Sequence, residues 1–583
     1  MEEKTFIAGQ QFNQIGGITM KETRHHPKLK EVSGSSDCKA TSGHGAVHGK
    51  AVSCLNTEGP YRGLDPRGKI PVVELAPLNE RPKNLVGRKV YVVGAQTQSL
   101  TERISKALKD RVPSSDVKYL EIENAHIERP EIWREVREEA DAAVLGVGWC
   151  GGVSPKIAAW TADLEKAGIS SVFLAYNYLE NTVQLAATGK GMPFLRRVML
   201  SSDVDDHTNI KHSVDLIIDA LTRPLVEDEQ KTGTYAVPEP PRIAVTGTME
   251  ELLAFYEEHH FNDDGLPVLI PTEERVEEML KGTSHPPDEV VGTMWPEAWE
   301  FTVEKVAVNA VMAGCKPEYM PVLLGMAEAF GKEIAFSTQV KSSTSFSFMT
   351  LVSGPIAKAI GMNASFNAMG PGNRANASIG RALRLFIVNL GGGSPGINLM
   401  SNEGNPMMYS WCFAEDNENS PWPPFHTSTG FGAEESCVTV FSGGWLWSES
   451  WKKKGLDGLI QQLNLIPAPF GAGVVISPDV AKSFRKDGLV SRDDLQLYLW
   501  ENTTQTFKEW SDTTWYDLMK GAAERGYRGR RFWPEDYFHL PPNATVKTYA
   551  KAEHIHVIVA TRGETVMKLQ LPSTVSVEKW RVD

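Results

Sequence analysis

The stretch Ala142–Pro155, AAVLGVGWCGGVSP, decides how the first half of the chain folds. A short apolar run breaks into glycines, and Ser154 and Pro155 then open a helical pattern over Lys156–Ala167. The same alternation recurs on either side. Apolar runs at Lys89–Gly94 (KVYVVG), Val117–Ile122, Ser171–Ala175 (SVFLA) and Arg197–Leu200 are each followed by a helical pattern. These helices fall at Ser99–Arg111, Glu131–Ala140, Tyr178–Thr188 and Ile210–Thr222, the first with Leu100, Ile104 and Leu108 on one face. Strands alternating with helices predict βαβ units on a parallel sheet. Five strands within roughly 140 residues predict an α/β, flavodoxin-like doubly wound domain, whose ligands sit at the carboxyl ends of the strands.

Working outward, residues 86–225 form this domain and residues 226–242, charged and then proline-rich, read as a linker. Residues 243–583 read as a larger α+β domain. Helical patterns stand at Met249–His259, Glu273–Leu280, Phe301–Ala313, Met320–Gly331 and Arg381–Leu390, and strand-like runs at Ser436–Phe441, Gly473–Ile476 and His554–Ala560. Residues 1–85 read as an extension, mobile or draped over the rest, because the part from His25 to Lys50 has too few large apolar residues to offset ordering entropy.

The chain has 583 residues, too many for one hydrophobic core. Its formal net charge of −13 argues against nucleic acid or an anionic membrane surface as the main partner. Six cysteines, none in a C-x-x-C pair, argue against a disulfide scaffold and a zinc ribbon. No apolar run is long enough to span a membrane, and MEEKTFIAGQQFNQ lacks a signal core, so a cytoplasmic protein is expected. The 15 tryptophans lead us to expect a homodimer with a buried interface.

Cys150 is the sharpest candidate for chemistry. It falls in the loop at a strand's carboxyl end, with Ser154 as the expected N-cap and Pro155 in the first helical turn. A helix N-terminus there is expected to lower the thiol pKa and favour a nucleophilic thiolate. Gly148, Gly151 and Gly152 let a substrate approach the backbone. The alternative is a small buried apolar residue. The run Gly146-x-Gly148-x-x-Gly151 fits the dinucleotide fingerprint in spacing, but that fingerprint belongs to the first βα turn and this is the third.

The stretches PLNERPKNLVGRKVYVVG, LGVGWCGGVSP and LEKAGISSVFLAYNYL resemble the UGSC-type domain family, which is distantly similar to the selenoprotein subunit of glycine reductase component B. DDGLPVLIPTEERVEEML, AVNAVMAGCKPEYMPVLL, SGPIAKAIGMNASFNAMGPGNRANASIGRALRL and FAEDNENSPWPP resemble the companion domain often fused to it. The family motif implies redox chemistry at a chalcogen: Sec or Cys, Gly, Ser, Cys after a strand. Here Cys150 takes the first position, Gly151 and Gly152 follow, and Val153 replaces the second cysteine. A disulfide cycle between these two positions is therefore excluded.

In the second domain, Cys315 lies between two expected helix ends and is a candidate partner for Cys150. Gly370-Pro-Gly-Asn-Arg-Ala-Asn-Ala-Ser-Ile-Gly-Arg381 presents Asn373, Arg374, Asn376 and Arg381 at a helix start, where amides and guanidinium groups can hold an anion. The alternative is a tight turn with its arginines paired internally. Cys412 and Cys437 read as core. His44 and His48, His259 and His260, and His554-Ile-His556 are weak metal half-sites, so no metal ligand is assigned.

The expected function is an enzyme that uses Cys150 as a single thiolate on a small, anionic organic substrate between the two domains. The reaction would be a lyase-like addition–elimination or an oxidoreductase-like reductive cleavage, with no cofactor required. A metalloenzyme with Cys and His ligands and a non-catalytic small-molecule binder are the alternatives.

Overall fold

The computed structural model describes residues 60–95, 98–122, 125, 129–201, 207–447, 455–466, 471–512 and 539–582. Most of the expected extension, with His44 and His48, lies outside the described residues. The part within them is built into the fold. Strands β1 (Tyr61–Leu64) and β2 (Val73–Leu75) lead into a first domain. Its elements run β3 (Lys89–Ala95), α1 (Gln98–Arg111), β4 (Asp116–Ile122), α2 (Pro130–Glu139), β5 (Ala142–Gly148), α3 (Ser154–Lys166), β6 (Ser170–Tyr176), α4 (Glu180–Gly189), β7 (Arg197–Leu200) and α5 (His207–Thr222).

The five strands from β3 to β7 form one parallel sheet in the order β4-β3-β5-β6-β7. That is the flavodoxin order 2-1-3-4-5, as the alternation predicts. Both faces are covered, so side chains along each strand divide by parity. Tyr91, Val93, Ala143, Leu145 and Phe173 pack with α2 and α3 through Ile132, Val136, Ile157 and Ala162. Val90, Val92, Val144, Val172 and Leu174 pack with α1 and α5 through Leu100, Ile104, Leu108, Val214 and Ile217. β5 is central and buried along its whole length.

Residues 60–85 strap the two domains together. β8 (Gly233–Tyr235) pairs with β2, and β9 (Ile243–Gly247) pairs with β1. Leu64 enters the core of the second domain and Leu78 that of the first. Tyr61 therefore pairs with Gly247, far along the chain. The segment expected as a linker supplies β8, and the chain after α5 is anchored by Arg196. This buried guanidinium donates to Glu229 at 2.7 and 2.8 Å and to the Ala220, Arg223 and Pro224 carbonyls.

The second domain is built on a six-stranded mixed sheet. Its strands are β10 (Ser347–Ser353), β11 (Cys412–Ala414), β12 (Cys437–Trp447), β13 (Ala472–Ile476), β14 (Ile555–Val559) and β15 (Glu564–Ser576), in the order β11-β10-β12-β15-β13-β14. Two helices, α6 (Val303–Ala313) and α7 (Met320–Lys332), are apolar almost all round and sit in the largest core. An all-round apolar helix must be buried. α8 (Ala335–Lys341) and α9 (Arg374–Leu385) border the junction described below. Among the described residues, no helix is long and apolar enough to cross a membrane.

Glu165 on α3 sits at the opposite edge of the first sheet from Cys150. It accepts from Arg81 Nη1 at 2.6 Å, Ser171 N at 2.6 Å and Asn79 N at 2.9 Å. Both side chains of the Arg81–Glu165 pair are fully buried, and Nε and Nη2 of Arg81 have no hydrogen-bond partner among the described residues. Removing one member of such a pair strands a buried charge. Glu165→Ala is therefore expected to lose about 3–5 kcal/mol in chemical denaturation, while Glu165→Leu with Arg81→Met recovers most of the loss.

Candidate functional site

The site begins where β5 ends. Its ladder to β6 slips between Leu145 and Gly148, and the chain turns through Trp149–Val153 into α3. The turn folds onto the carbonyl of Cys150, which accepts from Val153 N at 3.2 Å, Ser154 N at 3.0 Å and Ser154 Oγ at 2.8 Å. Ser154 is thus not the N-cap. That position is Val153, which offers no side-chain cap, and the buried Ser154 hydroxyl closes the loop instead. Pro155 does stand in the first turn of α3.

The three glycines of the dinucleotide-like run each answer to packing. A Cβ on Gly146 would lie 2.6 Å from Leu174 Cβ, one on Gly148 2.5 Å from Ser154 Oγ, and one on Gly151 2.2 Å from the Lys341 carbonyl oxygen. The last contact joins the two domains. Gly151 also abuts Met400, whose Cβ would be 2.6 Å away from an added Cβ. Nearby, Thr182 Oγ1 on α4 donates to the Ile397 carbonyl. The loop around Ile397–Met400 therefore seals the carboxyl edge of the first sheet.

Cys150 is buried, with 9% of its surface exposed. Burial pushes its thiol pKa up, and this outweighs the backbone N–H groups of Val153 and Gly152 and the charge of Lys156, which all pull it down. The expectation that the helix start lowers this pKa is corrected on that ground: desolvation disfavours the thiolate more than the local donors favour it. Lys156, one turn into α3, is itself largely desolvated, and its ammonium pKa falls to about 8. It donates to the Ala125 carbonyl at 3.3 Å. Tyr178 closes the other side, its hydroxyl donating to the Trp149 carbonyl at 2.8 Å and its ring stacked on Tyr176 at 5.7 Å.

Sequence reasoning missed Lys156 and Tyr178. Lys156 carried a signal, since it lies six residues beyond the cysteine at the third position of the helix. Tyr178 carried none, because it comes from the next βα loop.

The structure does not bring Cys315 to Cys150. Cys315 lies in the core of the second domain, where burial pushes its thiol up to about 12. It neighbours Cys412, whose thiol is pushed up by burial and by Cys315. The expected binding residues of the second domain make hydrogen bonds within the protein. Asn373 caps α9 by accepting from Asn376 N at 3.0 Å. Arg374 donates to the Gly314 carbonyl at 3.0 Å. The Asn376 amide donates to Asn363 O at 2.9 Å and Ala368 O at 3.0 Å. Arg381 grips Asp264 at 2.6 and 3.1 Å and the Leu266 and Pro267 carbonyls at 3.0 Å. These four residues build the loop and tie it to the 263–267 turn. These contacts support the internally paired alternative for them.

His554 ends a 3-10 turn, and His556 packs against Phe425 and Phe441 with its pKa lowered to about 3 by burial. Among the described residues, no group of three or more His, Cys, Asp or Glu side chains is placed to hold a metal ion.

A doubly wound parallel sheet with a cysteine in the βα loop at its carboxyl edge is the class that fold and site define. Within it, residues 62–226 match the model of the UGSC family. No curated protein and no solved structure matches the chain.

Gly151→Ala must displace a backbone carbonyl, so it is expected to cost about 1–3 kcal/mol of stability and to speed alkylation of Cys150 by opening the seam. Gly189→Ala, at an exposed position of α4 where an added Cβ meets nothing within 4 Å, is expected to hold stability or raise it by up to about 1 kcal/mol. Thermal unfolding and thiol-labelling rates of the two variants check this pair.

Proposed function

We propose that the protein is a cysteine-dependent enzyme in which Cys150 adds to an electrophilic carbon of a small anionic organic substrate and is later eliminated from it. The observation that carries this reading is the pairing of Cys150 with Lys156 at the start of α3. Burial drives the thiol pKa up and the ammonium pKa down to about 8, which brings the two groups closer in proton affinity. In the fraction of molecules whose Lys156 is neutral, the thiol proton can then pass to the amine as the sulfur–carbon bond forms on an activated double bond. Lys156 returns that proton to the adjoining carbon. Loss of a proton from another position of the adduct to the Lys156 amine, with cleavage of the sulfur–carbon bond, then releases an isomer of the substrate, and the sulfur takes that proton back, which restores the thiol with no external electron source.

The match of residues 62–226 to the UGSC family model, a family whose motif places Sec or Cys after a strand, supports chemistry at a chalcogen in this position. Val153 in place of the second cysteine, and the placement of Cys315 and Cys412 in a different core, favour addition–elimination over reductive cleavage. The Lys156 ammonium that the transfer forms is the group that would attract the substrate's negative charge.

Paired alkylation rates test this reading without a known substrate. Iodoacetate and iodoacetamide differ in charge and attack the same sulfur. At pH 7 the iodoacetate-to-iodoacetamide rate ratio at Cys150 is expected to exceed that of free cysteine by at least about tenfold. Lys156 is charged below its pKa of about 8 and neutral above it, so the preference should fall as pH rises through that value. Lys156→Met should abolish it at every pH, and Cys150→Ser should remove the label. A ratio equal to that of free cysteine, or one that Lys156→Met leaves unchanged, would sink the proposal.

A further inference from the structure

The second domain contains a cavity of about 210 Å³ beside the junction, apart from Cys150. It exists because β11 is short. The pairing of β10 with β11 starts only at Thr350 and Cys412, so the first residues of β10 have no strand beside them on that side. Phe346, Phe348, Met407 and Met408 supply much of the wall, and Ser347, Arg384 and Ser401 are its polar members, Ser401 already donating to the Ser345 hydroxyl at 2.7 Å.

Two features of that lining point to a ligand. Ser347 is 1% exposed, and its hydroxyl has no hydrogen-bond partner among the described residues. A buried hydroxyl left in this state is unfavourable, and a polar atom inside the cavity would relieve it. Arg384 donates through Nη2 to Asp263. A guanidinium carries five N–H donors in a planar fork, so Arg384 retains donors for a second, planar acceptor. Arg381, one turn earlier, shows the contrast: it is bidentate on Asp264 and also holds two carbonyls. The flexible thioethers of Met407 and Met408 sit with two phenylalanines, a setting that suits a flat aromatic ring. A dry cavity of about 150 Å³ takes a benzene ring, so this one has room for a ring with one polar substituent.

We propose that this cavity is a binding site for a small monocyclic aromatic carboxylate, with the ring between Phe346, Phe348 and the two methionines and the carboxylate on Arg384 and Ser347. Leu399 and Ser401 line the cavity while Met400, between them, abuts Gly151 in the Cys150 loop. Occupancy of the cavity therefore bears on the segment that seals Cys150. The binding site itself does not depend on Cys150 being reactive.

The test is titration of the full chain with 4-fluorobenzoate, followed by fluorine NMR and calorimetry. Saturable one-to-one binding is expected with a Kd below about 1 mM. The uncharged 4-fluorobenzamide should bind at least about tenfold more weakly. Met407→Trp, which fills the half-buried rim, and Arg384→Met should each weaken the carboxylate by at least about tenfold. If either variant fails to fold, Ser347→Ala serves as the second comparison and should weaken binding severalfold. Absence of saturable binding up to about 10 mM overturns the proposal. So does binding that Met407→Trp leaves intact, which would place the ligand elsewhere, and so does equal affinity for the amide. Because the readout is binding and not turnover, failure of the thiol mechanism would leave this result standing.

Discussion

Gly151 has room for a hydrogen and nothing larger. The Lys341 carbonyl and Met400 occupy the space where a side chain would stand, and the arrangement of the candidate site depends on that contact. A doubly wound sheet leaves its carboxyl edge open to ligands and water. Here the loop around Ile397–Met400 covers part of that edge, held by Gly151 on one side and by the Thr182 hydroxyl on the other. The Cys150 loop is thus fixed between its own helix and a second domain. Cys150 itself lies in a core of first-domain residues, and that burial sets the direction of its thiol pKa.

That burial acts on two groups in opposite directions. It raises the pKa of an acid whose charged form is an anion and lowers that of a base whose charged form is a cation. Cys150 and Lys156 are therefore moved toward each other. The helix start contributes through the N–H groups of Gly152 and Val153, yet desolvation is larger. A partly water-excluded pair of this kind is well placed to pass a proton during attack. A fully solvated thiolate would be a weaker base and would lack the neighbouring ammonium.

Much of the first domain was legible because its strands are buried on both faces. They appear in the sequence as short continuous apolar runs, and the helices between them show helical periodicity at Leu100, Ile104 and Leu108. The place of Cys150 followed from that alternation. Residues 60–85 were harder to read. β1 is four residues long and its partner β9 begins at Ile243, so no local pattern announces the pair. The glycine-, asparagine- and arginine-rich loop before α9 was also hard to read, for another reason. Spacing places Arg374 and Arg381 near a helix start, but only three-dimensional packing tells a substrate carboxylate from Asp264 or the Gly314 carbonyl. Arg384, which does border a cavity, lies three residues on from Arg381 and has no distinguishing signal in the sequence.

The proposed chemistry needs Cys150 to be reachable and reactive while the other described cysteines are structural. Burial pushes the thiols of Cys315 up to about 12 and Cys437 up to about 12, and Cys412 is raised as well. The direct measurement is the labelling of the native protein with a neutral maleimide at pH 8, followed by peptide mass spectrometry over time. The expected result is modification of Cys150 at least about tenfold faster than of Cys315, Cys412 or Cys437, which react together only on unfolding. Labelling of Cys150 as slow as theirs would contradict it.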